Sequence, residues 1–274
     1  MPSILTNNSA MVALATLNNV NRGLNETQNR VSSGLAIRSG KENAAYFAIS
    51  ETMKGDSGMF KAINEGMTAT KNSVATARLG AETVKDLAQS MVERVAFAQS
   101  DGINVADVQT ELDALVANMQ SAIDQATFNG DDLVSGAAVS KTVVTGISRA
   151  GGTFATTTIS FTSVNLQAIQ TALDGIDLTT STDLEADLVT AEGQLQAAIT
   201  ASTSLGVTEN TLEGQMQFLD SLTDTLDSGV GSMVDADMEE EAARLQAFQV
   251  QQQLATQSLS IANQSPQNIL SLFR

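Results

Sequence analysis

The chain has 274 residues, no Cys, His or Trp, and 31 acidic against 14 basic side chains, a formal net charge of −17. Without thiols or imidazoles there is no Cys or His nucleophile–base pair, no disulfide and no ordinary zinc, haem or iron–sulfur site, so no cofactor is expected. So acidic a chain is ill suited to holding nucleic-acid phosphates. At 42% apolar but 4% aromatic residues, its packing must lean on Ala, Leu, Val, Ile and Met.

In chain order, residues 1–8 lack a basic start followed by an apolar run and do not read as a secretory signal peptide. Apolar residues then recur in alternating steps of three and four, the mark of a helix with a continuous seam. The first seam is Ala10, Leu14, Leu17, Asn21, Leu24, Gln28, Val31 and Leu35. The second runs from Phe60 through Met67, Val74, Ala81, Ala88 and Val95 to Ala98, a helix of roughly 60 Å at about 1.5 Å per residue. Ser100-Asp101-Gly102 ends it, with Gly102 suited to a left-handed cap. A third seam, Val105 to Ala126, stops at the turn Asn129-Gly130-Asp131-Asp132.

Residues 141–165 are rich in Thr and β-branched side chains. Val143, Thr145 and Ile147 alternate, as do Ile159, Phe161 and Ser163, with Arg149-Ala150-Gly151-Gly152 between the two halves. This predicts a β-hairpin at the distal tip of a helical protein whose two ends pair back on each other. Thr182-Asp183 reads as an N-cap before a fourth seam, Leu184 to Leu205, and Leu212 to Leu226 makes a fifth. Asp235 or Asp237 caps the last, which runs from Leu245 through Phe248, Gln252, Ala255, Leu259 and Ala262 to Phe273. The fold class is therefore mostly α: long antiparallel helices and coiled-coil termini forming a rod, with a small β-hairpin, α+β region in mid-chain. No stretch approaches the about 18 uninterrupted apolar residues of a spanning helix, so no membrane insertion is expected.

The charge is unevenly placed. Residues 150–243 hold 16 acidic and no basic side chains, whereas 1–149 and 244–274 are nearly balanced. The centre should face water and repel its own copies, while the near-neutral ends can approach other chains. Asn21, Gln28 and Gln252 interrupt the terminal seams. Polar residues there cost stability but set register and partner number.

Catalysis finds no support. Asp131-Asp132 and Glu239-Glu240-Glu241 are neighbours in sequence, so they do not form a dyad across a cleft. Nucleotide, phosphate-loop and nucleophile-elbow motifs are missing. The segment from Asp235 fails as a calcium loop because Glu240 stands where the sixth position requires glycine.

Several segments resemble bacterial flagellins. Arg30-Val31-Ser32-Ser33-Gly34-Leu35-Ala36-Ile37 is similar to that family's RLSSGxxI signature, and the following Lys41–Ile49 stretch to its DDAAGxAI. Thr127-Phe128-Asn129-Gly130 resembles its TxFNG turn, Val234-Asp235-Ala236-Asp237 the segment before its last helix, and Ile261–Phe273 its ANQxPQxxLxL ending. The resemblance covers roughly residues 1–135 and 205–274. It departs from the pattern where the acidic pair is Glu42-Asn43 and the glycine is replaced by Tyr46-Phe47.

The resemblance implies a structural subunit, not an enzyme, that self-assembles into the helical flagellar filament. It divides the chain into an N-terminal coiled-coil half of an inner core (1–40), the N-terminal half of a helical spoke (41–135) and a small outer domain with the hairpin and helices (136–204). The C-terminal half of the spoke (205–235) and the C-terminal coiled-coil half of the core (236–274) follow. The polymerisation core would comprise Leu14, Leu17, Leu24, Val31, Leu245, Phe248, Leu259, Asn263, Gln264, Ile269, Leu270, Leu272 and Phe273. Other expected partners are the flagellar type III export apparatus, a chaperone, and junction and cap proteins. Its place would be extracellular, reached unfolded without signal cleavage. The alternatives are a hook–filament junction protein or a secreted helical effector. The segment that a vertebrate innate receptor reads in many flagellins is degenerate here at Arg94, Val95 and Ala96, which predicts weak activation. Thr142, Thr145, Thr153, Thr156, Thr157 and Ser160 are candidate O-glycan positions, since some family members carry such glycans.

Overall fold

The computed structural model describes residues 7–149 and 153–272, with 265–272 described by backbone alone. Among the described residues there are six helices: α1 Asn8–Ser33, α2 Ala44–Ala98, α3 Val105–Gln125, α4 Leu166–Asp174, α5 Leu184–Val234 and α6 Met238–Leu272. Two antiparallel pairs of strands accompany them, β1 Thr127–Phe128 with β2 Asp131–Asp132, and β3 Ser140–Ser148 with β4 Ala155–Thr162. The chain divides into two compact units, Met1–Asp56 with Thr225–Arg274, and Ser57–Asp224. Among the described residues, no helix is long and apolar enough to cross a membrane.

The expected seams merge into longer helices. The seam ending at Leu205 resumes at Leu212, one heptad on, so the fourth and fifth seams share a face and form the single helix α5. The helix α2 begins 16 residues before Phe60, at Ala44. Its buried face continues towards the N-terminus through Phe47, Ser50, Met53 and Ser57, where Ser50 and Ser57 are almost wholly buried. Small hydroxyls hid that face from a purely apolar pattern. The Ser50 hydroxyl donates to the Phe47 carbonyl at 3.0 Å, which removes the cost of burying it.

In the unit Ser57–Asp224, α2, α3 and α5 supply a core around Met67, Met91, Leu112, Met119, Ile123 and Leu205, all almost completely buried. Gly80 allows α2 and α3 their close approach, because a Cβ there would overlap the Cβ of Ala126. The expected caps form: Gly102 has φ +87°, and Asp183 accepts from the Glu185 and Ala186 amides at 3.2 Å. Asn104, not singled out in the sequence, caps α3 by accepting from the Ala106 amide at 3.2 Å.

The hairpin forms with Val143 opposite Ile159 and Thr142 opposite Ser160, and its register shifts between Val144 and Gly146. Ala150, Gly151 and Gly152, read as its turn, lie outside the described residues. Its expected place at the distal tip is corrected by the structure. Gln99 donates to the Leu184 carbonyl at 3.2 Å, so one end of this unit holds the close of α2 and the start of α5. The hairpin instead meets α5 at Gln215, whose amide donates to the Thr145 carbonyl at 3.1 Å. That point lies some 45 Å along α5 from Leu184, at about 1.5 Å per residue. Phe161 is buried in the same core, and this apolar face keeps the hairpin on the flank.

The acidic stretch is also less one-signed in space than in sequence. Glu209 accepts from Arg78 Nε at 2.8 Å, Lys71 Nζ lies 3.5 Å from Glu213, and Glu241 is paired with Arg30. Bases of the N-terminal half neutralise these acids, because the antiparallel fold brings the two halves side by side. The Arg78 guanidinium has its pKa raised, first by Glu209 and then by Glu82.

Candidate assembly surface

In the terminal unit α1 and α6 lie against each other. On α6 the buried or half-buried positions are Glu241, Leu245, Phe248, Gln252, Ala255, Leu259 and Ala262, a seam of alternating four and three. On α1 they include Ala13, Leu17, Val20, Leu24, Thr27 and Val31, which follow the same rhythm. This face overlaps the expected one at Leu17, Leu24 and Val31, and Ala10 and Asn21 of the expected seam are half-buried at its edge. Elsewhere it is shifted: Val20 and Thr27 are buried, while Leu14 is 48% exposed and Gln28 is exposed. The helix thus carries two adjacent seams, of which the pairing with α6 covers one.

Polar ties set the register. Gln252 Nε2 donates to Asn21 Oδ1 at 2.7 Å, so two of the amides interrupting the seams face each other. Asn7 accepts from the Ala10 amide at 3.1 Å as the N-cap of α1 and donates to the Ala262 carbonyl at 2.7 Å. At the other end, Arg30 Nη1 and Arg244 Nη1 both donate to Glu241 Oε1 at 3.1 Å. Gly23 makes room for an aromatic ring, since a Cβ there would stand 2.7 Å from Phe248 Cε1.

The Arg30–Ile37 motif and the Val234–Asp237 segment, separate in sequence, meet at one corner. Gly34 has φ +73° and donates to the Arg30 carbonyl at 2.8 Å, which closes α1. The chain then pairs with the opposite segment: Ala36 donates to Val234 at 2.7 Å, and Ala236 donates to Gly34 at 2.9 Å. Ser33 Oγ donates to the Asn29 carbonyl at 2.8 Å, and Ser32 is exposed. Of the two aspartates considered, Asp237 caps α6, accepting from Glu239 at 3.0 Å and Glu240 at 3.2 Å. Asp235 instead folds back over Gly231, where a Cβ would lie 2.8 Å from its Oδ2. In the Glu42-Asn43 pair, Asn43 caps α2 by accepting from Ala45 at 3.1 Å, and Glu42 binds Arg38 at 3.0 Å. The Arg38 backbone amide, then its guanidinium, hold the Glu42 carboxyl below the ordinary glutamate range.

The pair leaves large apolar side chains uncovered. Met11 is 62% exposed, Val12 63%, Leu254 58% and Ile261 63%. A groove of about 460 Å³ lies among them, lined by Val12, Ala13, Val20, Leu254, Ala255 and Ala262. No charged side chain occurs in α1 before Arg22 or in α6 after Arg244. Asn263 and Gln264 are exposed on α6. Ile269, Leu270 and Leu272 lie on its backbone, but their side chains, and all of Phe273, are outside the described residues.

The remaining candidates lie in the unit Ser57–Asp224. The Phe128-Asn129-Gly130 turn links β1 to β2, with Phe128 37% exposed and φ +50° at Asn129 and +81° at Gly130. Arg94 pairs with Glu111 at 3.0 Å, Val95 is fully buried and Ala96 is exposed. Thr142 and Ser160 are exposed neighbours 3.3 Å apart, and Thr153, Thr156 and Thr157 are exposed. Thr145 is only 3% exposed, which corrects its place among the glycan candidates: the folded hairpin closes it to a transferase.

Val20, Thr27 and Glu241 were missed because each looks ordinary alone. The signal for the first two was the second three–four series through Ala13; for Glu241 it was its place four residues before Leu245. Residues 4–139 match the bacterial flagellin N-terminal helical region, and 189–273 the bacterial flagellin C-terminal helical region. The chain is 37% identical to a flagellin of Brucella melitensis over the whole of both proteins. It is 33% identical to flagellin FljK of Caulobacter vibrioides, over 99% of this chain and 98% of that one. Flagellin C of Rhizobium meliloti is 32% identical over the whole of both proteins. Helices, corner motifs and full-length similarity agree, and the chain belongs to the bacterial flagellin family.

Proposed function

We propose that this chain is a subunit of the extracellular flagellar filament, the propeller of swimming motility, and that it polymerises through α1 and α6. The observation carrying this reading is the uncovered apolar strip on a helix pair with no charge over most of its length. Leu14, on the second seam of α1, is available to another copy, as are Val12, Leu254 and Ile261. Full burial of such a side chain contributes about 1.5–3 kcal/mol, and these four start 48% to 63% exposed. A head-to-tail contact that does not close gives an open helical polymer.

The same surface needs cover before assembly, which accounts for a chaperone in the cell and for export through the flagellar type III apparatus as an unfolded chain. Junction and cap proteins would meet these ends at the two extremities of the filament. Removing residues 255–274 tests the mechanism. The full chain should form filaments by electron microscopy, and the truncated chain should sediment as a monomer. Filaments from the truncated chain would overturn it.

A further inference from the structure

The chain contains a single Asn-Gly pair, Asn129-Gly130. Among the described residues Asn129 is the one non-glycine with positive φ, +50°, and it is exposed with no side-chain hydrogen bond. We propose that Asn129 is a spontaneous deamidation site, silent while the turn is folded and reactive whenever the chain is held unfolded.

The chemistry needs only the chain and water. The backbone nitrogen of Gly130, giving up its proton to solvent, attacks Cγ of Asn129. A C–N bond forms, the Cγ–Nδ2 bond breaks and ammonia leaves, which closes a five-membered imide. Water then opens the imide at either carbonyl, giving aspartate or isoaspartate. One water enters and one ammonia departs, with no change of oxidation state. Glycine after the asparagine makes this easiest, because no Cβ obstructs the ring.

The fold withholds the geometry. Attack requires the Asn129 backbone to swing out of the left-handed region so that the Gly130 nitrogen faces Cγ. The two-residue turn, with Gly130 at φ +81°, is pinned by the Phe128–Asp131 pairing. Asp131 is held in turn by the Ser73 hydroxyl at 2.9 Å and Lys141 at 3.3 Å. Asp132 accepts from the Val134 and Ser135 amides at 2.9 Å. Rotating Asn129 would break this set of contacts. Conversely, isoaspartate adds a carbon to the main chain, and a two-residue turn cannot absorb it. A chain modified while unfolded would then fail to bring Asp131 to Ser73.

The test incubates the full chain at neutral pH and body temperature, folded in buffer and unfolded in urea, and follows Asn129 by peptide mass mapping and isoaspartyl methyltransferase labelling. Unfolded chains should convert at least an order of magnitude faster than folded ones. In urea, Gly130→Val should slow conversion by a similar factor, a comparison that does not depend on the variant folding. Equal rates in the folded and unfolded chains, or an unmodified Asn129 in urea, would overturn the proposal.

Discussion

Arg30 Nη1 on α1 donates to Glu241 Oε1 on α6 at 3.1 Å, joining residues 211 positions apart. Arg30 opens one flagellin motif and Glu241 follows another, so this bond ties together the two ends that family membership sets apart in sequence. The Glu241 side chain is only 7% exposed and its second oxygen has no partner among the described residues, which makes it dependent on its arginines.

Arg30→Ala should destabilise the α1–α6 pair by about 2 kcal/mol. This is less than for a fully buried pair, because the Arg30 side chain is 27% exposed and Arg244 remains. Urea unfolding followed by helical circular dichroism reads the change. In a double-mutant cycle with Glu241→Gln, the two losses should fall short of adding. Additive losses would mean that the bond contributes nothing.

Two glycine substitutions in α2 should have opposite signs. Gly66 has open space around its Cβ position, so Gly66→Ala should stabilise the helix by about 0.5–1 kcal/mol. Gly80→Ala would drive a Cβ into that of Ala126, which is fixed to the backbone, and should destabilise by about 1–3 kcal/mol. Thermal unfolding of the two variants beside the parent chain checks both signs.

Burial raises the Asp132 pKa, but the Ser135 hydroxyl, the Val134 and Ser135 amides and Lys141 outweigh it, and the net pKa lies below the usual aspartate value. With the folded pKa depressed, its contribution to stability is complete above the ordinary aspartate range. It is lost as pH falls below that range through the folded value. A carboxyl NMR titration should show Asp132 titrating below a model aspartate, and Asp132→Asn should flatten the acid side of the stability profile.

Thr142, Thr153, Thr156, Thr157 and Ser160 are exposed and leave room for an O-glycan on the folded hairpin, whereas Thr145 does not. Mass spectrometry of native filaments should find any sugar among these candidates on the five exposed hydroxyls and none on Thr145. A sugar on Thr145 would require attachment before folding.

The Arg94 guanidinium is engaged by Glu111, and Val95 is turned into the core. Reporter cells carrying the innate flagellin receptor should respond weakly to the monomer. A response equal to that of an enteric flagellin would reverse this expectation.

The sequence by itself determined the local and periodic features. The α2 face from Phe60 to Ala98, the α6 seam from Leu245, the cap at Asp183, the hairpin and the Asn129-Gly130 turn depend on spacing, capping and chirality within a few residues, whereas the choice of Asp237 over Asp235 as the cap of α6 came with the fold. Tertiary structure decided what spacing leaves degenerate. α1 offers two interleaved seams that share Leu17, Leu24 and Val31, and only the facing residues of α6 select the one through Val20 and Thr27. The hairpin sits beside Gln215 rather than at a tip because its apolar face, with Phe161, needs the helical core. The acidity of residues 150–243 is a fact of the sequence, yet Glu209, Glu213 and Glu241 are neutralised by bases far away along the chain. Charge counted along a chain becomes a field only once folding has chosen the neighbours, since Coulomb interactions depend on distance in space.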